Sequence, residues 1–141
     1  MASRPTPREL MTLGMFIFGM DSAAYQNLQR SREWRHATSE RHGARDAAQF
    51  VGPGGETITL SGMIVPELGG RYAALEALAE MAATGDTWPL IDGRGRIFGN
   101  YRIVRLEEDQ KHILAGGAAR MVDFRIELHR GDDQTGEGIA Q

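Results

Sequence analysis

The most constraining stretch of this chain lies near its end. Val122-Asp123-Phe124-Arg125-Ile126-Glu127-Leu128-His129 alternates apolar and polar residues without a break. A period of two puts every apolar side chain on one face of an extended strand and every polar one on the other. One such strand cannot stand alone. The chain must supply neighbours to pair with it and something to cover its apolar face.

The segment from Gln49 to Ile91 provides both. Ile58, Leu60, Gly62 and Ile64 fall on one strand face, and Thr57, Thr59, Ser61 and Met63 on the other. The strand Thr57 to Val65 is expected to stop at Pro66, which cannot donate to a ladder. Tyr72, Leu75, Leu78, Ala79 and Ala82 then recur at helical spacing. They predict an alanine-rich helix from about Arg71 to Thr84, stopped by Gly85. Its apolar face packs on a sheet, Leu75 and Leu78 contributing on the order of 1.5–3 kcal/mol each, with Met81 as core filler. Trp88 to Ile91 reads as a short strand. Asp92-Gly93 with Gly95 marks a hairpin, and Ile97 to Leu106 is the returning strand.

Other regions speak less clearly. Leu13 to Met20 reads as one apolar strand containing Gly14 and Gly19. Ala23 to Glu40 fits two patterns. Tyr25, Leu28 and Arg32 share a helical face, whereas Leu28, Arg30, Arg32, Trp34 and His36 share a strand face. An extended reading from about Leu28 is favoured, because no N-cap with a helical apolar stripe follows and Trp34 and Thr38 suit strands. Gly52-Pro53-Gly54-Gly55 reads as a turn. It is not a phosphate loop, which needs Gly-Lys-Ser or Gly-Lys-Thr before a helix. Glu107 to Arg120 reads as a long connection, acidic first and then rich in glycine and alanine.

The sum is an α+β domain of about five or six mostly antiparallel strands with one main helix. Residues 11–130 form the single domain, preceded by a flexible arm (1–10, with Pro5 and Pro7) and followed by a disordered, glycine-rich acidic tail (131–141). A length of 141 residues with 41% hydrophobic content suits one real core. A net charge of −3 speaks against bulk binding of nucleic acid. Without cysteine there is no disulfide, no thiolate nucleophile and no cysteine-bound zinc. No apolar run is long enough for a membrane helix. The apolar patch Leu10 to Met20 lacks a basic lead and a cleavage site, so assembly in a cytoplasm without export is expected.

Chemistry-bearing patterns are missing. His36, His42, His112 and His129 show no His-x-x-x-His spacing, and no Gly-x-Ser-x-Gly elbow is present. No catalytic residue, cofactor or metal is expected, and a small hydrolase is a minor alternative. The basic stretch 30–45 stands out in an acidic protein. It carries Arg30, Arg32, Arg35, Arg41, Arg45, His36 and His42 against Glu33 and Glu40. It fits a solvated face or a contact surface for an acidic partner, arginine with tryptophan being enriched at interface hot spots. Nucleic acid is the weaker third reading, since only Trp34 interleaves with the cations.

Taken in order, several segments together resemble the tail protein U family of contractile-tailed bacteriophages and phage-tail-like bacteriocins. They are Leu13 to Phe18, Trp34-Arg35-His36, Gln49 to Pro53, Thr57 to Gly62, Pro66-Glu67 with Gly69-Gly70, Trp88 to Ile91, and Gly116 to Arg120. The resemblance covers about residues 11 to 130. It implies a tail-tube type of fold, a β-sandwich or open β-barrel flanked by one helix. It also implies a non-enzymatic part of a tail, assembling as a ring, most often sixfold, at the baseplate. Partners there would be tube, hub, sheath or wedge proteins. A tail-tube or tail-end, terminator-like ring protein is the alternative. The interface residues expected in such a ring are Arg30, Arg32, Trp34, Arg35, Arg41 and His42, paired between neighbours with Glu107, Glu108 and Asp109.

Overall fold

The computed structural model describes residues 9–68 and 70–131. All but the first residue of the expected acidic tail (131–141) lies outside the described residues, as does nearly all of the expected N-terminal arm. Among the described residues seven strands run β1 (Glu9–Leu13), β2 (Phe16–Gly19), β3 (Ala24–Arg41), β4 (Ala44–Ile64), β5 (Trp88–Asp92), β6 (Ile97–Ile113) and β7 (Ala119–Arg130). One helix, α1 (Ala73–Thr84), lies between β4 and β5 after a short 3-10 turn at Pro66–Leu68. The α+β class holds, and the strands form one antiparallel sheet in the order β2-β1-β5-β6-β7-β4-β3.

The alternating segments behave as their patterns require. Val122, Phe124, Ile126 and Leu128 are buried, as are Ile58, Leu60 and Ile64 on the paired strand β4. Leu75 and Leu78 of α1 close over this face, and Met81 and Ala82 pack at its margin, while Ala79 faces solvent. Gly85 ends the helix, its N–H bonded to the Ala82 carbonyl at 3.2 Å. The helix lies in the crossover from β4 to β5, which are separated in the sheet by β7 and β6. A second crossover, Met20 to Ala23, joins the two edge strands β2 and β3. A link this short requires the sheet to curl, and the Phe18 and Tyr25 rings meet edge-to-face at 6.3 Å. Where β3 begins, Gly62 of β4 leaves no room for a side chain. A Cβ there would stand 2.2 Å from the Ala24 carbonyl oxygen.

The described residues hold seven strands where about five or six were expected, because the hairpin at Gly14-Met15 splits the first apolar stretch in two. Three further expectations fail. The apolar stretch 13–20 is not one strand but part of the β1–β2 hairpin, turned at Gly14-Met15. Gly14 sits at φ 60° with the Trp88 ring against its Cα, so the turn needs glycine on both counts. Gly52-Pro53-Gly54-Gly55 is not a turn. It lies inside β4, and the chain reverses instead at His42-Gly43. Glu107–Arg120 is not a long loop. Strand β6 runs on to Ile113, and only 114–118 connect it to β7.

Candidate functional site

Two hairpins outrun the body of the sheet, and the pairing register shows where. Strand β7 accompanies β4 only from Ile64↔Val122 to Thr57↔His129. Beyond Thr57, β3 and β4 continue as a two-stranded ribbon from Arg32↔Glu56 to Arg41↔Ala44. At strand rise this ribbon reaches about 30 Å. At the opposite end, β6 and β7 continue past Gln110↔Val122 to Ile113↔Ala119. The basic stretch thus projects from one end of the sheet, while the acidic residues Glu107, Glu108 and Asp109 lie inside the sheet body near the other end, just short of where the β6–β7 hairpin projects.

The basic ribbon is wet on both faces, residues 31–40 all being exposed. With no core to fill, its large side chains pack on one another. Arg32 lies over the Trp34 ring at 5.8 Å, and His36 meets Phe50 edge-to-face at 5.5 Å. Trp34, Phe50 and Val51 remain more than half exposed. Register irregularities between Arg32 and Trp34 and between Arg35 and His36 bend the ribbon. Arg32 and Arg35 make no ion pair among the described residues. Arg41 closes the ribbon by pairing with Ala44, and His42 is exposed in the turn.

Arg30 does something different. It points to the inner face, where its Nε and Nη2 donate to one oxygen of Glu56 at 2.9 and 2.7 Å. Arg130 donates to the other oxygen at 3.0 Å, and the Tyr101 hydroxyl also donates to Glu56. Adjacent strands β6, β7, β4 and β3 thus each contribute one side chain at the level where the ribbon leaves the body. The Glu56 side chain is 9% exposed. Burial pushes its carboxyl up, but the hydrogen bonds from Tyr101, Arg30 and Arg130 outweigh that and hold it below the usual carboxylate range. Burial, and then the bond to Glu56, pushes the Tyr101 phenol up to about 12. Arg30 also lies 5.2 Å from the Phe98 ring. The row of charges ends the apolar core and fixes the root of the ribbon. No pattern in the sequence links Glu56, Tyr101 and Arg130 to Arg30, since the sheet alone brings them together.

The three acidic residues do not form one cluster. Alternation along β6 sends Glu107 and Asp109 to the outer face and Glu108 to the inner one. Glu107 stands 4.0 Å from Arg105, and Asp109 is opposite Asp123, itself bonded to Lys111 at 2.6 Å. Glu108 instead lines an open groove between the start of α1 and the end of the β6–β7 hairpin, with Glu76 on the helix side. The groove is otherwise mostly apolar, lined by Leu75, Ala118 and Val122 among others. The Tyr72 hydroxyl donates to the Ala119 carbonyl and ties the helix start to the hairpin. Glu76 and Glu108 make no ion pair among the described residues. The basic and acidic stretches therefore never meet within one chain.

Among the described residues no group of three potential metal ligands converges. His129 bonds to Glu127 at 2.8 Å, while His36 lies on the ribbon and His112 near the other hairpin tip. No helix among them is long and apolar enough to cross a membrane.

The fold matches a chain in the virion of a native gene transfer agent particle with a TM-score of 0.58 and 12% identity, covering 92% of this chain and 95% of that one. It also matches a chain of the anti-feeding prophage cap, a tube-terminating cap, with a TM-score of 0.51 and 12% identity over 92% and 88%. The fold is thus one found in a gene transfer agent virion and in a tube-terminating cap. The Phage P2 GpU family matches residues 14–133, and the chain belongs to that family. It is a phage tail-related structural protein, as the resemblance implies. A "Probable tape measure protein" of Halomonas phage phiHAP-1 is 29% identical over 123 residues, which are 86% of this chain and 14% of that protein. The chain spans only that small part of its relative's length.

Proposed function

We propose that the chain is a non-enzymatic ring subunit at one end of a tail tube, joined to its neighbours through its two projecting hairpins. The observation that carries this is the β3–β4 ribbon. Strands of 18 and 21 residues are far longer than a body of this size needs. Half of their length buries nothing within the chain, and an exposed ribbon with free edges is a template for pairing. A role between copies or partners gives that length a purpose.

The baseplate end, around the junction of tube and hub, is the favoured position and is assembled in the host cytoplasm. The family supports it, and so does the likeness of this stretch to part of a phage protein described as a probable tape measure protein. Tube, hub, sheath or wedge proteins are the partners of that position, and the ring is sixfold. The second reading is a terminating ring at the other end of the tube, favoured by the likeness to the anti-feeding prophage cap. Microscopy of particles carrying a tagged copy separates the two, because the label falls near the spike in one case and at the far end in the other. Replacing Arg32, Arg35 and Arg41 together by glutamate is expected to block particle assembly while the isolated chain keeps its melting temperature. Normal particles from that variant would exclude the ribbon as a joining element.

A further inference from the structure

We infer that the basic ribbon of one copy docks in the groove between α1 and the β6–β7 hairpin of the next copy, Arg32 and Arg35 pairing with Glu76 and Glu108. The inference rests on the ring reading above and assigns its contact.

Placement comes first. Ribbon and groove lie at opposite ends of the sheet, so neither reaches the other within one chain. A contact between unlike surfaces at opposite ends is heterologous. It repeats from copy to copy and closes into a ring or runs on as a filament. Charge comes second. Arg32 and Arg35 on the ribbon and Glu76 and Glu108 in the groove are exposed and lack ion-pair partners among the described residues. Some exposed charges near the groove are already paired, as Lys111 with Asp123 and Arg120 with Glu67, whereas Glu33 and Glu40 on the ribbon offset part of its positive charge. The surplus is cationic at one end and anionic at the other, which sets both the partner and its direction. Apolar surface comes third. Trp34, Phe50 and Val51 are 56%, 59% and 61% exposed. The groove offers Leu75, Ala118 and Val122 to receive such groups. Rigidity comes last. The Glu56 row holds the ribbon root, so little orientational freedom is lost on docking.

This refines the simple pairing of a basic with an acidic stretch. Strand alternation leaves Glu108 as the member of the acidic trio in the groove, and it recruits Glu76 from the helix, far away in sequence.

The test uses the full chain, whose lack of cysteine leaves no background in thiol cross-linking. Arg35→Cys and Glu108→Cys variants are prepared separately, mixed and oxidised. The expected product is a disulfide-linked heterodimer that forms in the mixture in preference to either homodimer. In parallel, masses in solution are measured for Arg32→Glu/Arg35→Glu and for Glu76→Arg/Glu108→Arg. Each alone is expected to fall from the oligomer to the 15.5 kDa monomer. The variant carrying all four changes is expected to regain the oligomer, because the charges are exchanged. All four positions are exposed, so unchanged melting curves show that folding is intact. Three results would overturn the inference: a wild-type chain that stays monomeric at the highest concentration reached, equal cross-linking of homodimers, or no rescue in the exchanged variant. Incorporation of tagged chain into particles is scored separately. Incorporation without ribbon–groove cross-linking defeats this contact and leaves the tail role standing, whereas absence from particles defeats the tail role itself.

Discussion

Glu56 is shared by two guanidinium groups and a phenol, and that makes it the most exposed point of failure in the chain. Replacing it with alanine leaves Arg30 and Arg130 facing each other at the margin of the core. Loss of a largely buried partner of this kind is expected to cost about 3 kcal/mol, read by urea denaturation. The carboxyl pKa is held below its unfolded value. Its contribution is therefore complete above the unfolded glutamate range near ~4.3 and is lost as pH falls through the folded value. Wild-type stability should drop in that acid window more steeply than that of Glu56→Gln, which has no proton to gain. Tyr101 works at the other end of the scale. Its pKa is raised to about 12, so its contribution is complete below the unfolded value and fades as pH climbs toward that figure. Tyr101→Phe should flatten the alkaline limb of the stability curve, and a limb that does not change would mean that another group titrates there. Gly62 is sensitive for a steric reason. A methyl group there meets the Ala24 carbonyl oxygen and the Tyr25 Cα at 2.2 and 2.7 Å, both backbone atoms. Gly62→Ala must displace the start of β3, and it should lower the melting temperature more than any alanine substitution on the ribbon.

Elements with an unbroken alternating or helical apolar face were legible in the sequence, whereas the buried β1–β2 hairpin, split by its turn at Gly14-Met15, and the exposed ends of β4 and β6 were not. Strand β7 announced itself because Val122, Phe124, Ile126 and Leu128 all enter the core, and α1 because Leu75 and Leu78 recur on one face before Gly85. The far half of β4 was hidden by Gly52-Pro53-Gly54-Gly55. A proline in a strand is tolerated there because Pro53 lies beyond the last β7 partner, where β4 has only β3 beside it. The end of β6 was hidden by Glu107 to Lys111, residues with weak strand preference and no apolar alternation, held by their pairing with β7. The same reasoning explains the site. The basic and acidic stretches were visible as composition, whereas Glu76 in the groove and the Glu56 row depend on contacts across the sheet that composition does not encode. It also predicts which elements can be cut. Replacing residues 33–54 by a two-residue turn should leave the cooperative core in place, with a shift in stability of less than about 1 kcal/mol, because residues 31–40 bury nothing. Leu78→Ala, by contrast, opens the interface between helix and sheet and should cost about 2–5 kcal/mol. Equal losses from the two changes would show that the ribbon contributes to the core after all.

For the whole molecule, a heterologous contact has a consequence that a self-complementary one lacks. Each copy offers one ribbon and one groove. A chain without its ribbon can still receive a neighbour in its groove but cannot reach onward, so it enters an assembly and interrupts it. Adding the ribbon-deleted chain to wild type should therefore poison ring formation well below equal amounts. The intact fraction falls as the wild-type share raised to the number of copies, so with six copies about 10% of deleted chain halves the yield. The curve of intact rings against deleted fraction thus measures the ring number and tests the direction of the contact at once. A chain carrying Glu76→Arg/Glu108→Arg should poison along the same curve from the opposite end, since it reaches onward but cannot receive. A mixture of the two defective chains should stop at a pair, one ribbon in one groove. A yield that merely falls in proportion to the wild-type share would mean that copies enter the particle independently, with no contact between neighbours.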